Sequence, residues 1–580
     1  MLNFEIAKIF YEMADILEIL DVPWKPRAYR KAAKSLETLT RDVREIYEKG
    51  GLKALEELPG IGERLAKKIV EYIKTKKIRE HEKLKAKIPS GLAELMEIES
   101  LGPKKAVRLW KELGIKSVSD LKKALQEHKI AKLSGFGEKS EENILAGIKI
   151  FEQRKERFLL GEVLPIAKEI ISYLKEKVPQ IRNISEAGSV RRRKETVGDL
   201  DILVTVKNPL DAEKIMKVFT TMPSVERVLA KGPTKSIVVL KNGLQADVRV
   251  LENKNFGAAL QYFTGNKEHN ISLRKIAIEK GFKLSEYGLF SRKTGKFIAG
   301  KTEEEIYKSL GLEYIPPELR ENLGEIEFAE NKKLPKLIEL KDIKGDLHVH
   351  TNWSDGSNSI EEMISAAQKF GYEYVCISDH SKTRAIAHGL NEERLLNQIK
   401  MIKKLQKKFK IKIFTGSEVD ILADGSLDYS NNLLKKLDVV IASAHTGWKM
   451  PKKIMTERIV KALENPYVDI LGHPTGRVIQ KRAPFNLDLE EIFEVALEKK
   501  KVLEIDAFPD RLDLNDINVK KAIEKGIFLA INSDAHAINQ LNVLEYGVAT
   551  ARRGWASPKN IVNTYSLKDL PKFFKKITLD

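Results

Sequence analysis

The spacing of apolar residues changes character along this 580-residue chain. Up to about residue 150, apolar positions recur every three or four residues, as in MLNFEIAKIFYEMADILEIL. Strand-like runs are nearly absent there, so amphipathic helices are predicted. Two later runs, Asp201-Ile202-Leu203-Val204 and Ala246-Asp247-Val248-Arg249-Val250, read instead as strands carrying acidic residues. From 343 onward seven short apolar runs each finish in His, Glu or Asp: DLHVH to His350, YVCISDH to His380, IFTGSE to Glu418, VVIASAH to His445, VDILGH to His473, VLE to Glu504 and FLAINSD to Asp534. Successive ends lie 27 to 38 residues apart, which fits one strand, one helix and two loops. Seven parallel βα units predict a closed barrel with its site at the C-terminal strand ends. Between the halves, residues 316–342 have prolines near both ends and a cluster of glutamates, and read as a linker.

Composition narrows the class. With 42% hydrophobic residues, extensive disorder is excluded. No run approaches the ~18 apolar residues of a membrane span, and the acids in the first 20 residues do not fit a signal peptide. The single cysteine, Cys376, excludes an internal disulfide and suits a reducing compartment. A soluble, cytoplasmic protein is expected. The net charge is +19, and its distribution matters more than its size. Residues 1–320 carry 62 Lys+Arg against 46 Asp+Glu, whereas residues 321–580 carry 40 against 37. A heat-adapted surface would account for the 32% charged residues, but not for a surplus confined to one half. That asymmetry points to a polyanion bound through phosphate neutralisation. The histidines divide the other way, with seven of ten between His348 and His536.

In the helical region one pattern occurs three times: Leu58-Pro59-Gly60-Ile61-Gly62, Ser100-Leu101-Gly102-Pro103 and Leu133-Ser134-Gly135-Phe136-Gly137, each before a basic amphipathic helix. Such turns expose backbone N–H groups at a helix N-terminus, which binds phosphate without reading bases. A single Gly-x-Gly would be an ordinary cap; three copies in a basic region resemble the helix-hairpin-helix motif of DNA repair proteins. Upstream, Arg27-Ala28-Tyr29-Arg30-Lys31 resembles the start of the small lyase-type domain of family X DNA polymerases. That resemblance puts Lys68 in the place of a Schiff-base lysine, although Lys67, Lys74, Lys76 and Lys77 crowd the same region.

Gly188-Ser189-Val190-Arg191-Arg192-Arg193 precedes Gly198-Asp199-Leu200-Asp201, and Asp247 follows on the second strand. Asp199 and Asp201 share a face by period two. Three carboxylates on one sheet face repel unless divalent cations neutralise them, and two Mg²⁺ held there would clamp a phosphoryl transfer. Gly188, Ser189 and Arg192 offer donors to a triphosphate. Together with Tyr262-Phe263-Thr264-Gly265-Asn266, Asn270 and Arg274, this closely resembles the nucleotidyltransferase pattern of family X DNA polymerases over residues 1–315. The resemblance implies that Tyr262, Phe263 and Gly265 line the nucleotide pocket and that Asn270 and Arg274 contact the nascent pair or the template. Lys267 and His269 depart from the family's spacing before Asn270.

At the barrel rim, His348, His350, Asp355, His380, Glu418, His445, His473, Asp534 and His536 are nine candidate ligands. Imidazole with carboxylate suits Zn²⁺, Mn²⁺ or Fe²⁺, and nine ligands suit two or three ions bridged by Glu418. His388, in a loop, is not counted among them. The set resembles the PHP (polymerase and histidinol phosphatase) family, whose nine metal positions all match. Metal-assisted phosphoester hydrolysis follows, with Arg511 a candidate to hold the phosphate.

The expected organisation is therefore a lyase-like helical domain (1–90), a second helix-hairpin-helix subdomain (91–150), an α+β nucleotidyltransferase palm (151–252), a nucleotide-binding subdomain (253–315), a linker (316–342) and a (β/α)7 PHP barrel (343–580). The expected protein is a monomer that fills gaps in primed DNA from dNTPs. Its barrel would act as a 3′–5′ exonuclease, a 3′-end phosphatase or an abasic-site endonuclease. Two alternatives stand beside this: a barrel that hydrolyses small phosphate esters such as histidinol phosphate or pyrophosphate, and a DNA-end-binding module without activity.

Overall fold

The computed structural model describes residues 2–577 apart from 21, 39–42, 86–88, 90, 97, 99–100, 156, 207 and 209–210. Ser100, which opens the second glycine turn, lies outside the described residues. Two compact units divide the chain: Met1–Lys155 with Gln480–Arg482, and Glu156–Ile479 with Ala483–Asp580. Among the described residues no helix is long and apolar enough to cross a membrane.

The first unit is helical, from Leu2–Ile19 to Glu138–Lys155. Its glycine turns form as the sequence predicts. Gly60 and Gly135 take the left-handed conformation, with φ of 77° and 76°, which glycine adopts without strain. Gly62 caps the helix Glu63–Thr75, and Gly102 caps Pro103–Leu113, where Pro103 fills a first-turn position that needs no N–H donor. Glu63–Thr75 buries Ala66, Ile69 and Tyr72 at helical spacing and leaves Lys67 in solvent.

The second unit opens with a five-stranded sheet in the order Ile181–Glu186, Asp199–Val206, Gln245–Leu251, Lys235–Leu240, Val225–Lys231. Its two central strands, Asp199–Val206 and Gln245–Leu251, run parallel, and their register pairs Asp201 with Asp247. One face packs against the helices Leu160–Lys177 and Asp211–Thr220 through Val163, Ile170, Ile215 and Phe219. The helices Phe256–Thr264 and Lys267–Glu279 and a small antiparallel sheet follow.

Seven parallel strands, from Gly345–Val349 to Leu529–Asn532, then pair in sequence order. A parallel bridge between Val349 and Ala535 joins the first to the end of the last, so the barrel is nearly closed. Period two explains its layering. Cys376, Phe414, Ile441, Val502 and Ala530 form an apolar floor with Val562, Leu570, Phe574 and Ile577. Two residues further along their strands stand Ser378, Gly416, Ser443, Glu504 and Asn532, and four residues further His380, Glu418, His445, Asp506 and Asp534. The alternate positions, such as Val375, Ile377, Leu503 and Ile531, pack outward against the helices.

The stretch 316–342 differs from the exposed tether that its prolines and glutamates suggest. It holds a helix, Glu325–Glu330, and buries Arg320, Glu325, Ile326, Ala329, Leu337 and Ile338. The reason is electrostatic as well as apolar. Arg320 is neutralised by Glu303 at 2.5 Å, and Glu325 accepts a hydrogen bond from His269 Nδ1 at 2.7 Å, so both ions enter the core with partners.

Candidate active sites

In the palm, the strand Asp199–Val206 alternates an outward acidic face with buried Leu200, Ile202 and Val204. Gly188 opens the preceding turn at φ 57°, and a Cβ there would lie 2.8 Å from Asp201 Oδ2. A side chain at 188 would therefore displace the carboxylate it faces. Burial, then Asp199 and then Asp247, push the Asp201 carboxyl up to about 6. A crowded anionic face of this kind gains from a divalent cation, so the residues fit Mg²⁺ in charge. The compact metal-type groups among the described residues, however, all lie in the barrel. In the palm Asp247 is instead neutralised by Lys235 at 3.2 Å and accepts from Gln245 Nε2 at 3.1 Å. Lys235 was not legible as a partner, because it comes from the antiparallel neighbour strand.

The nucleotide block is tightly tied. Arg192 Nε donates to Glu321 at 3.0 Å and Nη1 to the Thr264 carbonyl at 2.6 Å. Arg191 pairs with Glu303 and donates to Thr264 Oγ1. Asn270, expected to face a base pair, is buried, and its side chain donates to the Tyr262 carbonyl at 2.7 Å and accepts from Gln261 at 2.8 Å. It therefore shapes the Tyr-Phe-Thr-Gly turn. Gly265 leaves no room for a Cβ, which would meet Asn270 Oδ1 at 2.6 Å. Tyr262 and Phe263 meet edge to face, and Arg249 lies over the Phe263 ring. Arg274 is half-buried one turn beyond Asn270. His269, the departure noted in the sequence, is fully buried between Glu325 and the Tyr307 hydroxyl, a structural role.

At the barrel rim the nine predicted residues converge. The potential ligand atoms of His350, Asp355, His380 and His536 lie within 4.8 Å of one another, as do those of His348, His350 and Asp534, and those of His380, Glu418 and His445. His473 Nε2 lies 2.9 Å from Glu418 Oε1, and His445 Nε2 3.1 Å from it. Glu418 is thus common to three imidazoles on one side and overlaps the other groups through His380. His348 Nε2, both nitrogens of His350, His473 Nδ1 and Asp534 Oδ1 are buried yet make no hydrogen bond. His380 Nδ1 stands 2.8 Å from Glu418 Oε2 without hydrogen-bond geometry. Buried polar atoms are normally paired, so this set fits divalent cations.

These rim groups also shift one another's protonation strongly. Burial opposes charge on His445, but Glu418 and Asp420 outweigh it and raise the imidazole to about 9. His350 has burial and then two neighbouring imidazoles against it, and falls to about 4. Glu418 is held well below the carboxylate range by His445, His380 and His348 despite burial.

The sequence reading missed the groups that orient these ligands. Glu504 accepts from His348 Nδ1 at 2.8 Å, the His473 amide at 2.6 Å and Asn532 at 2.8 Å. Asp420 holds His445 Nδ1 at 2.6 Å. Both orient imidazoles from behind. The signal was present for Asp420, which shares a strand face with Glu418 by period two. Arg511 sits three-quarters buried against Asp506 at 3.3 Å, and Asp534 and Glu418 add to the field that holds its charge.

In the first unit, a cavity of about 480 Å³ is lined by Lys25, Tyr29, Gly60, Gly62, Lys68 and Glu80 among others. Lys68 pairs with Glu80 at 2.8 Å, a contact that a nucleophilic role would have to open. Beside the third glycine turn, Arg108 donates to the Ser134 carbonyl, and Lys105 and Arg108 lie over the Phe136 ring.

Comparison with known proteins adds family to this geometry. Residues 1–78 match a helix-hairpin-helix domain, 92–149 a SAM-like helix-hairpin-helix tandem, 259–321 the DNA polymerase beta thumb and 346–507 the PHP domain. A probable phosphatase of Thermoanaerobacter sp. (strain X514) is 32% identical over 232 residues, 38% of this chain and 89% of that protein. A probable phosphatase of Caldicellulosiruptor bescii is 31% identical over 200 residues, 33% and 79% of the two chains. The DNA polymerase/3′-5′ exonuclease PolX of Bacillus subtilis (strain 168) is 40% identical over 576 residues, 99% of both chains. With that identity along nearly its whole length, the chain belongs to the PolX family, the family X DNA polymerases that carry a PHP domain.

Proposed function

We propose that the chain joins two chemistries: DNA-directed nucleotidyl transfer in the palm and 3′–5′ phosphodiester hydrolysis in the barrel. The observation that carries the second is the convergence of nine imidazole and carboxylate ligands, several with unpartnered buried atoms, at one rim. Asp199, Asp201 and Asp247 would hold two Mg²⁺, and the nine rim residues two or three Zn²⁺ or Mn²⁺. Such cations neutralise charge developing on a phosphoryl group and activate an oxygen nucleophile.

The chain's own residues do the positioning. In the palm, the turn at Gly188 and Ser189 presents backbone donors, Arg192 a guanidinium, and Tyr262, Phe263 and Gly265 a wall for the incoming dNTP. Asn270 holds that wall, and Arg274 faces the template pair. Asp247 would accept the primer hydroxyl proton once Lys235 yields. In the barrel, Arg511 holds the phosphate, while Glu504 and Asp420 fix the imidazoles. Backbone amides at Gly60, Gly62, Gly102, Gly135 and Gly137 bind DNA phosphates in the helical domains 1–90 and 91–150, and the surplus of basic residues in the first 320 supports this. Domains 151–252, 253–315 and 343–580 carry palm, nucleotide subdomain and barrel. The protein acts as a cytoplasmic monomer on gapped or primed DNA.

The test is a pair of variants on a labelled gapped duplex. Asp199→Ala is expected to reduce dNTP incorporation by about 10³-fold or more and leave primer trimming intact. His348→Ala is expected to do the reverse. Loss of both activities from one substitution in a folded, DNA-binding protein would overturn the two-site reading. Because the barrel alone resembles probable phosphatases, the same samples should be offered small phosphate esters. Faster hydrolysis of these than of primer ends would favour the small-molecule reading. Lyase chemistry at Lys68 is checked separately by borohydride trapping on an abasic 5′ end.

A further inference from the structure

The barrel reaches into the nucleotide site of the palm. Arg553, at the end of the helix Leu544–Arg553, is buried with 6% exposure. Its Nη2 and Nε bind Asp516 of the barrel at 2.6 and 2.9 Å. Its Nη1 leaves the barrel. It donates to the main-chain carbonyl of Arg192 at 2.7 Å and to Glu321 Oε1 at 3.0 Å. That carboxylate oxygen is the one that Arg192 Nε also uses, while Glu321 Oε2 accepts from Asn266, next to the Tyr-Phe-Thr-Gly turn. One partly buried carboxylate therefore serves two guanidiniums and the edge of the nucleotide pocket.

We propose that Arg553 and Glu321 are positioning residues for polymerisation: together they fix Arg192, through its backbone carbonyl and its Nε, in the place from which it binds the triphosphate of an incoming nucleotide. This rests on the role assigned above to Arg192. The argument is one of charge and geometry. Glu321 alone would pair fully with Arg192 and compete with the triphosphate. Sharing its oxygen with Arg553 divides that attraction. Arg192 Nε and Nη1 hold Glu321 and Thr264, and neither contact uses Nη2. Burial works most against the charge on Arg192, Glu321 supports it, and Arg553 and Arg320 oppose it, so an added anion would relieve that opposition. Asp516 keeps Arg553 from swinging away, since it takes the other two guanidinium positions.

Steady-state gap filling on the full-length protein tests this. Arg553→Ala is expected to raise the KM for dNTP about tenfold with kcat changed much less, because binding geometry and not chemistry is lost. Primer trimming and the melting temperature of metal-loaded protein serve as fold controls. Arg553→Lys, which keeps a charge near the Arg192 carbonyl, should recover part of the loss. Glu321→Gln, nearly isosteric, should raise the KM in the same way, and it stands in if Arg553→Ala does not fold. An unchanged dNTP KM in folded Glu321→Gln or Arg553→Ala overturns the proposal. Arg192→Ala separates the two layers. If it raises the KM while the other two do not, only the positioning role fails. If it leaves the KM unchanged, the triphosphate role itself fails.

Discussion

Glu504 shows how a single carboxylate can brace a candidate metal site without being among its nine candidate ligands. With three donors converging on it, its removal frees His348 to rotate and leaves the His473 amide unpaired. Glu504→Gln is expected to weaken metal binding by the barrel about 10- to 100-fold, read by titration with Mn²⁺ or Zn²⁺. Glu303 makes a different case. Burial works against its ionised form, yet Arg320 and Arg191 hold its carboxyl down at about 2 from 4.5. Its folded value lies below its unfolded one, so the stabilisation is complete above about pH 4.5 and is lost as pH falls toward 2. Glu303→Gln should cost about 3 kcal/mol at neutral pH and flatten the acid limb of the melting curve. Most of the nine candidate rim ligands were legible because they stand at or just beyond the end of a short apolar run. Glu504 was read as the end of such a run but not as a brace, because His348 is 156 residues away. The sequence offers Arg192 as a candidate phosphate fork, but not as the partner of Glu321, 129 residues on.

At the scale of elements, local signals carried far where one residue type solves one backbone problem. The glycine turns at 60, 102 and 135, the strand Asp199–Val206 and all seven barrel strands could be read from period and punctuation. The segment 316–342 could not. Its prolines and glutamates mark an exposed connector by local rules, and only distant partners, Glu303 for Arg320 and His269 for Glu325, bring it into the core. The turn at Gly188 offers a test at this scale. Gly188→Ala adds a Cβ against Asp201 at a positive φ, which should cost about 1 kcal/mol of stability. Displacement of the Asp201 carboxylate should lower nucleotide incorporation far more than that cost implies. Melting and primer-extension rates measured on one sample distinguish the two effects.

For the molecule as a whole, one cluster of buried apolar residues runs from the palm (Leu160, Val163, Ile170) to the barrel (Leu503, Leu512, Leu544), so these two parts share a core. Cations bound only by the folded barrel should stabilise it by about 2.7 kcal/mol at a hundredfold excess over Kd. Chelation should therefore lower the melting transition of wild type and of Asp199→Ala alike, and should lower it less in His348→Ala. The charge asymmetry also belongs to this scale. It could be counted directly from the sequence, whereas the joining of palm and barrel could not, because no local pattern records which apolar faces meet.

The floor of the barrel has a consequence for how the protein is made. Val562, Leu570, Phe574 and Ile577 seal the apolar layer beneath the candidate metal ligands, although the first strand of the barrel begins more than two hundred residues earlier. On the ribosome the palm sheet is complete once Leu251 has emerged. The hydrolase must wait, open at its base, until the tail leaves the exit tunnel. A nascent chain arrested before residue 562 would already own a polymerase sheet but only an unplugged barrel.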